Sequence, residues 1–321
     1  MLADTRYAAP MHDPLIEYAT VPPTPLHEAV LAARAPLLRT VDDLLTVPDA
    51  ALERPWRWRP TDRDDLDVRT GFYSIHECLE AAIGAIAVGR APAAEPFGPA
   101  VPALAAMATA RWELRGVLAP LVEADWDADP GGDEWTIRQT VGHIVGGQRS
   151  YGWYNAWYIR QGIVGAEVER PSEDHFPPEP TEEEEAAGDP ATVMARLDEV
   201  LDANAVATAA LGQPAMAISG RWSGLPVTID FRLGRYGSHI REHTIQIDKT
   251  LVMLGRTPTE SERLVRLILA TYGRLEAELV GRPPRELDRP LTGGRSAAMI
   301  LTGVVDETVA TASAVRAAVA G

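Results

Sequence analysis

The chain is poor in three things, and each shortage narrows what it can be. It has a single cysteine, Cys78, so no internal disulfide can form. A reducing, cytoplasmic compartment is therefore expected. It is also short of positive charge: 30 lysines and arginines stand against 46 aspartates and glutamates, a formal net charge of −16. Nucleic-acid affinity comes mainly from Lys and Arg neutralising phosphates, so no nucleic-acid partner is expected. Finally, the sequence has no 18-residue apolar run, and Met1 to Arg6 lack the basic-then-apolar pattern of a leader. Neither a membrane association nor export is expected.

What is present suits a globular core. The composition is 46% hydrophobic and 24% charged, close to the soluble average. At 321 residues the chain is about twice a ~150-residue domain, enough for one large unit or two small ones.

Helical periodicity dominates. Apolar stripes run from Val30 to Leu44, Leu104 to Leu121, Val193 to Leu211 and Leu264 to Leu279. Capping boxes are read at Ser74-Ile75-His76-Glu77 and Thr136-Ile137-Arg138-Gln139. Thr257-Pro258 and Asp189-Pro190 place proline at a first helical position. Pro36 and Pro120 sit inside stripes and are expected to kink or shorten them. Between the helices lie a Pro/Ala linker at 91–99, a long loop at 162–189 and a short hairpin around Ser223-Gly224. A Pro/Gly/Arg-rich stretch covers 281–295. The run Glu182 to Glu185 reads as a solvated acidic segment. The fold class expected is all-α.

A faint internal repeat accompanies these elements. Leu38-Arg39-Thr40-Val41 matches Leu114-Arg115-Gly116-Val117, and Tyr73-Ser74-Ile75 matches Trp135-Thr136-Ile137. It implies two related four-helix units, the central one inserted between the halves of the outer. The expected boundaries are an N-terminal extension at 1–25, outer helices at 26–95 and 257–321, and a central bundle at 100–256.

Of seven histidines, only His239 and His243 have ligand spacing. At i and i+4 both imidazoles lie on one helical face and can reach one ion. The spacing alone also suits two core or surface histidines. His143, in Val141-Gly142-His143-Ile144-Val145-Gly146-Gly147, sits among apolar and small residues and offers a third ligand. The two glycines admit two roles, close helix packing or room for a substrate beside a metal. Each costs roughly 1 kcal/mol against alanine in a helix interior, so some compensation is required. Tyr154 continues the His143 face and is a pocket candidate. His76 is expected exposed, His175 solvated in its loop, and Cys78 a small buried hydrophobe.

The order Trp135-Thr136-Ile137-Arg138-Gln139-Thr140-Val141-Gly142-His143, followed after a long gap by His239-x3-His243-x2-Gln246, resembles the DinB/YfiT-like metalloprotein superfamily. The resemblance covers about residues 100–256. It implies an up-down four-helix bundle in which His143, His239 and His243 hold a divalent metal, zinc first, with nickel or iron as alternatives. Gln246 matches a polar residue frequent one turn after the pair; from the residues themselves Glu242 joins it as a candidate partner of the ligands, and Gly147 and Tyr154 are substrate-pocket candidates. Several relatives activate a low-molecular-weight thiol, mycothiol or bacillithiol, on the metal for S-transfer or isomerisation. The implied function is thus a metal-dependent thiol S-transferase or isomerase acting on a small molecule. The alternative is a non-catalytic metal- or ligand-binding stress protein whose ion is structural. The flanking segments depart from the single-domain pattern. In the outer copy Ala81, Gly303 and Glu307 match the three histidines, so that unit is expected to be metal-free, its degenerate bundle serving as an internal partner. A monomer or a homodimer fits this arrangement.

Overall fold

The computed structural model describes residues 13–57, 66–90, 98–165, 169–172 and 175–320. Residues 1–12 of the expected extension, and 91–97 of the expected linker, lie outside them. Eight long helices form the frame: α1 (Glu28–Leu45), α2 (Val68–Arg90), α3 (Val101–Leu118), α4 (Ile137–Ile163), α5 (Pro190–Thr208), α6 (Ile229–Met253), α7 (Glu260–Ala277) and α8 (Ala297–Ala320). Helix accounts for 69% of the described residues, and the strands among them are one hairpin, β1 (Ser219–Trp222) and β2 (Leu225–Thr228). Its turn residues Ser223 and Gly224 have φ of 48° and 82°, the paired left-handed geometry of a two-residue hairpin loop. The protein is all-α.

The apolar stripes sort into two cores. Helices α3, α4, α5 and α6 enclose one, and α1, α2, α7 and α8 the other. In both sets the fourth helix packs on the first and second, and the third packs on the second. The buried face of α1 (Val30, Ala33, Leu37, Val41) corresponds to Met107, Ala110, Leu114 and Leu118 of α3. This lies one residue out of the register in which Leu38-Arg39-Thr40-Val41 matches Leu114-Arg115-Gly116-Val117, because burial follows the helix face. The two cores join along α3 and α7, where Trp112 of α3 enters the outer core. A Cβ on Gly273 of α7 would stand 2.7 Å from Trp112 Cβ, so the close approach needs that glycine.

A buried charge cluster crosses the same junction. Arg34 of α1 donates to Asp202 of α5 (2.6 Å) and to Glu276 of α7 (2.9 Å), while Arg111 of α3 donates to Asp202 (2.6 Å). The α8 helix is apolar enough over 18 residues to cross a membrane by composition alone, with mean hydropathy 1.3. Here it is packed between α1 and α2 as a core element of the outer bundle.

Several local expectations are corrected. Ser74 lies inside α2, which begins at Val68; Asp67 accepts from Thr70 N at 3.0 Å and closes the first turn instead. The cap of α7 is Thr259, paired reciprocally with Glu262, so Pro258 falls outside the helix. Pro36 does not break α1, which runs through it while its buried face packs on α8. Pro120 lies just beyond the end of α3. The long loop begins only after Ile163 and contains the helical turn Glu182–Ala186. Asp189 and Thr136 cap α5 and α4 as their sequences imply.

Candidate metal centre

Two helices of the inner bundle supply the site. Thr136 accepts from Gln139 N, and Gln139 returns a carbonyl to Thr136 N, starting α4 so that His143 falls two turns in. Thr228 caps α6 and sets His239 and His243 on one face. The helices run antiparallel, with His143 level with His243 and Asn155 level with Arg232.

The three imidazoles turn the same nitrogen to one point. His239 Nε2 lies 3.4 Å from His143 Nε2 and 3.1 Å from His243 Nε2. The opposite nitrogens of two rings are anchored: His143 Nδ1 by Glu182 Oε1 at 2.6 Å, and His243 Nδ1 by Gln246 Oε1 at 2.8 Å. An acceptor at Nδ1 holds the proton there and leaves an Nε2 lone pair facing the cluster. Lone pairs this close repel unless a cation lies among them. Ligand nitrogens at about 2.0–2.1 Å from a tetrahedral ion stand about 3.3 Å apart, the spacing found here.

Burial completes the ligand chemistry. His239 is 4% exposed, and burial, reinforced by His243 and His143, pushes its pKa down to about 3. Burial also lowers His243. Both rings are therefore neutral near pH 7, the form that ligates. His239 Nδ1 is buried without a hydrogen-bond partner, so packing rather than an acceptor holds that side of its ring. The packing surface is Gly147: a Cβ there would stand 2.7 Å from His239 Cε1. Of the two roles open to Gly147, close approach is the one it fills. Gly146 has only Glu185 Cγ within reach, at 3.9 Å.

The walls differ in part from expectation. Trp135 lies over His143 at 5.0 Å between ring centroids, and Tyr151 lies edge-on to His239 at 5.1 Å. Tyr154, the sequence-based pocket candidate, packs instead on Phe176 at 4.9 Å. It shares the His143 face but stands about 16 Å further along α4, at about 1.5 Å per residue, whereas Tyr151 is nearer. Glu242 makes no contact with a histidine N–H; its carboxylate takes both Arg235 Nη atoms, at 2.6 and 2.8 Å, which holds its pKa low. Arg235 in turn lies 5.1 Å over the Trp222 ring of β1, so the hairpin joins this wall. His175 pairs with Ser172 and lies edge-on to Trp157, and His76 is half-buried with Nδ1 2.9 Å from Thr271 Oγ1. Cys78 is half-buried.

The acidic run is where sequence reading missed most. It forms a capped helical turn, with Thr181 and Glu184 pairing reciprocally. Glu182 reaches His143, and Glu185 is 1% exposed, bound to Arg149 at 2.6 Å. Gly142 admits this turn against α4, since a Cβ there would stand 2.6 Å from Glu182 O. The spacing Thr181-x-x-Glu184 was the available signal, because it marks a helix start rather than a solvated loop.

In the outer bundle, Ala81, Gly303 and Glu307 all border one cleft of about 510 Å³ between α2 and α8. The Arg295 guanidinium fills the space over Gly303, 2.7 Å from where a Cβ would be. Among the described residues, His143, His239 and His243 are the one cluster with three metal-ligating side chains.

Three imidazoles converging from the second and fourth helices of a bundle form a cluster that could hold a metal ion. Residues 106–247 match the model of the DinB superfamily, and this segment is a DinB superfamily domain. No curated protein and no solved structure matches the chain.

Proposed function

We propose that this protein is a divalent-metal-dependent enzyme acting on a small molecule, as a low-molecular-weight-thiol S-transferase or isomerase of the mycothiol type. The observation that supports it is the convergence of three Nε2 atoms with two Nδ1 atoms already held by acceptors. A divalent ion held by three neutral imidazoles keeps its full charge and an open position, and it lowers the pKa of a bound thiol or water.

The chain's own residues have definable tasks. Glu182 and Gln246 fix ring orientation and tautomer, as acceptors behind ligating histidines normally do. Trp135 and Tyr151 flank the rings as aromatic walls. The carboxylates nearest the cluster are engaged elsewhere, Glu182 at Nδ1 and Glu242 at Arg235, so neither takes the place of an exchangeable ligand. That favours a catalytic ion over a structural one. Zinc is the proposed metal, with nickel or iron as alternatives that imidazole equally suits. A cytoplasmic monomer or homodimer is the proposed setting.

Metal analysis of the purified protein tests the first half: about one divalent ion per chain is expected, and none at all would remove the reading. Incubating the loaded protein with mycothiol or bacillithiol and electrophilic substrates, and searching for thiol conjugates or thiol-dependent isomerisation, tests the second. Stoichiometric metal without either product would return the structural-ion alternative.

A further inference from the structure

A second cavity begins little more than one turn beyond His243 on α6, where α3, α6 and α7 meet at the junction of the two bundles. It is a half-open hollow of about 270 Å³, close to the ~300 Å³ at which ligand pockets begin, with Val252 at its exposed lip. Its walls are apolar, built from Val117, Pro120, Leu121, Leu251, Val252 and Pro258. Its charged rim carries Arg256, Arg263 and Arg266 against Asp248 and Glu262, an excess of one positive charge on a chain of net −16.

The two rim carboxylates are already satisfied. Arg266 forks onto Asp248 at 3.1 and 3.2 Å, and Arg256 onto Glu262 at 2.6 and 3.4 Å. Glu262 also accepts from Thr259 N at the start of α7. The Arg263 guanidinium makes no hydrogen bond or ion pair with the described residues; only its backbone N–H donates, to Thr259 O. Asp49, the acid that feels its charge, is spent on the backbone N–H groups of Glu260 and Ser261. The rim is thus a fixed network with one guanidinium left over beside an apolar hollow.

We propose that this cavity binds a small monocarboxylate with an apolar body, the hydrocarbon against Leu121, Leu251 and Val252 and the carboxylate on Arg263. A guanidinium recognises a carboxylate through paired charge-assisted hydrogen bonds, and neutral amides lose that term. The site is separate from the three-histidine centre and does not depend on its metal.

Calorimetric titration of the full chain with octanoate and with its uncharged counterpart octanamide tests the assignment. Octanoate is expected to bind at one site, with octanamide about tenfold weaker, the loss of roughly one charge-assisted hydrogen bond. Arg263→Gln, on the exposed rim, should erase the difference between the two ligands. Leu121→Trp should fill the hollow and abolish binding of both; circular dichroism checks that this variant folds. Equal affinity of the two ligands for the unsubstituted protein would overturn the proposal. So would no binding at millimolar octanoate, or octanoate binding untouched in Arg263→Gln, the last placing the ligand elsewhere, the histidine centre included.

Discussion

Glu182 Oε1 stands 2.6 Å from His143 Nδ1, joining a helical turn of the acidic segment to the ligand face of α4. An acceptor behind a ligating histidine fixes which nitrogen is free and raises its basicity.

Replacing Glu182 with alanine is expected to weaken metal binding by about 10- to 100-fold, the usual effect of losing such an acceptor. Glu182→Asp should lose less if its shorter carboxylate still reaches the ring. Competition against a chromogenic chelator measures both. Unchanged affinity in the alanine variant would show that the contact does not orient His143.

His239→Ala should remove stoichiometric metal while leaving helical content near that of the parent. The inner core around Val141, Leu197 and Ile240 does not rest on the ion. Elemental analysis paired with circular dichroism reads the two effects separately. Metal content equal to the parent's would end the three-histidine assignment.

Gly147→Ala tests close approach. The new Cβ would meet His239 Cε1 at 2.7 Å, nearer than real Cβ contacts come, so the ring or α6 must shift. Metal affinity should fall although no ligand is changed. Gly146→Ala, which meets only Glu185 Cγ at 3.9 Å, should bind metal as the parent does.

The metal-free protein should lose stability on acidification in a defined window. The pKa of His239 is about 3 when folded against 6.5 as its ordinary value, so between these the unfolded chain binds more protons. Stability is fully present above pH 6.5, declines as pH falls, and levels once pH passes below about 3. His243, also lowered, acts in the same direction. Thermal melts of metal-free protein from pH 7.5 to 4 should show this slope, and His239→Gln should flatten part of it. A slope of the same size in that variant would assign it to other groups.

Glu276→Ala tests the junction of the bundles. The carboxylate is 1% exposed and holds Arg34, so its removal leaves Asp202 to balance Arg34 and Arg111 together. A loss of about 1–3 kcal/mol is expected in denaturant unfolding, the cost of a buried charged hydrogen bond. A loss below ~1 kcal/mol would mean that water reaches the cluster on truncation.

The helices and the histidine pair were legible from local pattern alone. Apolar period and reciprocal caps such as Thr136 with Gln139 are local, and the i, i+4 spacing of His239 and His243 forces a shared face whatever surrounds it. Where a local signal misled, a competing partner won. Ser74 loses its capping role because Asp67 closes the turn earlier, and the α1–α3 match slips by one residue because burial selects the face. What lies behind and beside the histidines was set by packing between helices. Glu182 reaches His143 because Gly142 admits its helical turn against α4. Tyr151 rather than Tyr154 meets His239. These choices depend on how far each helix slides along its neighbour, and no periodicity within a single helix contains that distance.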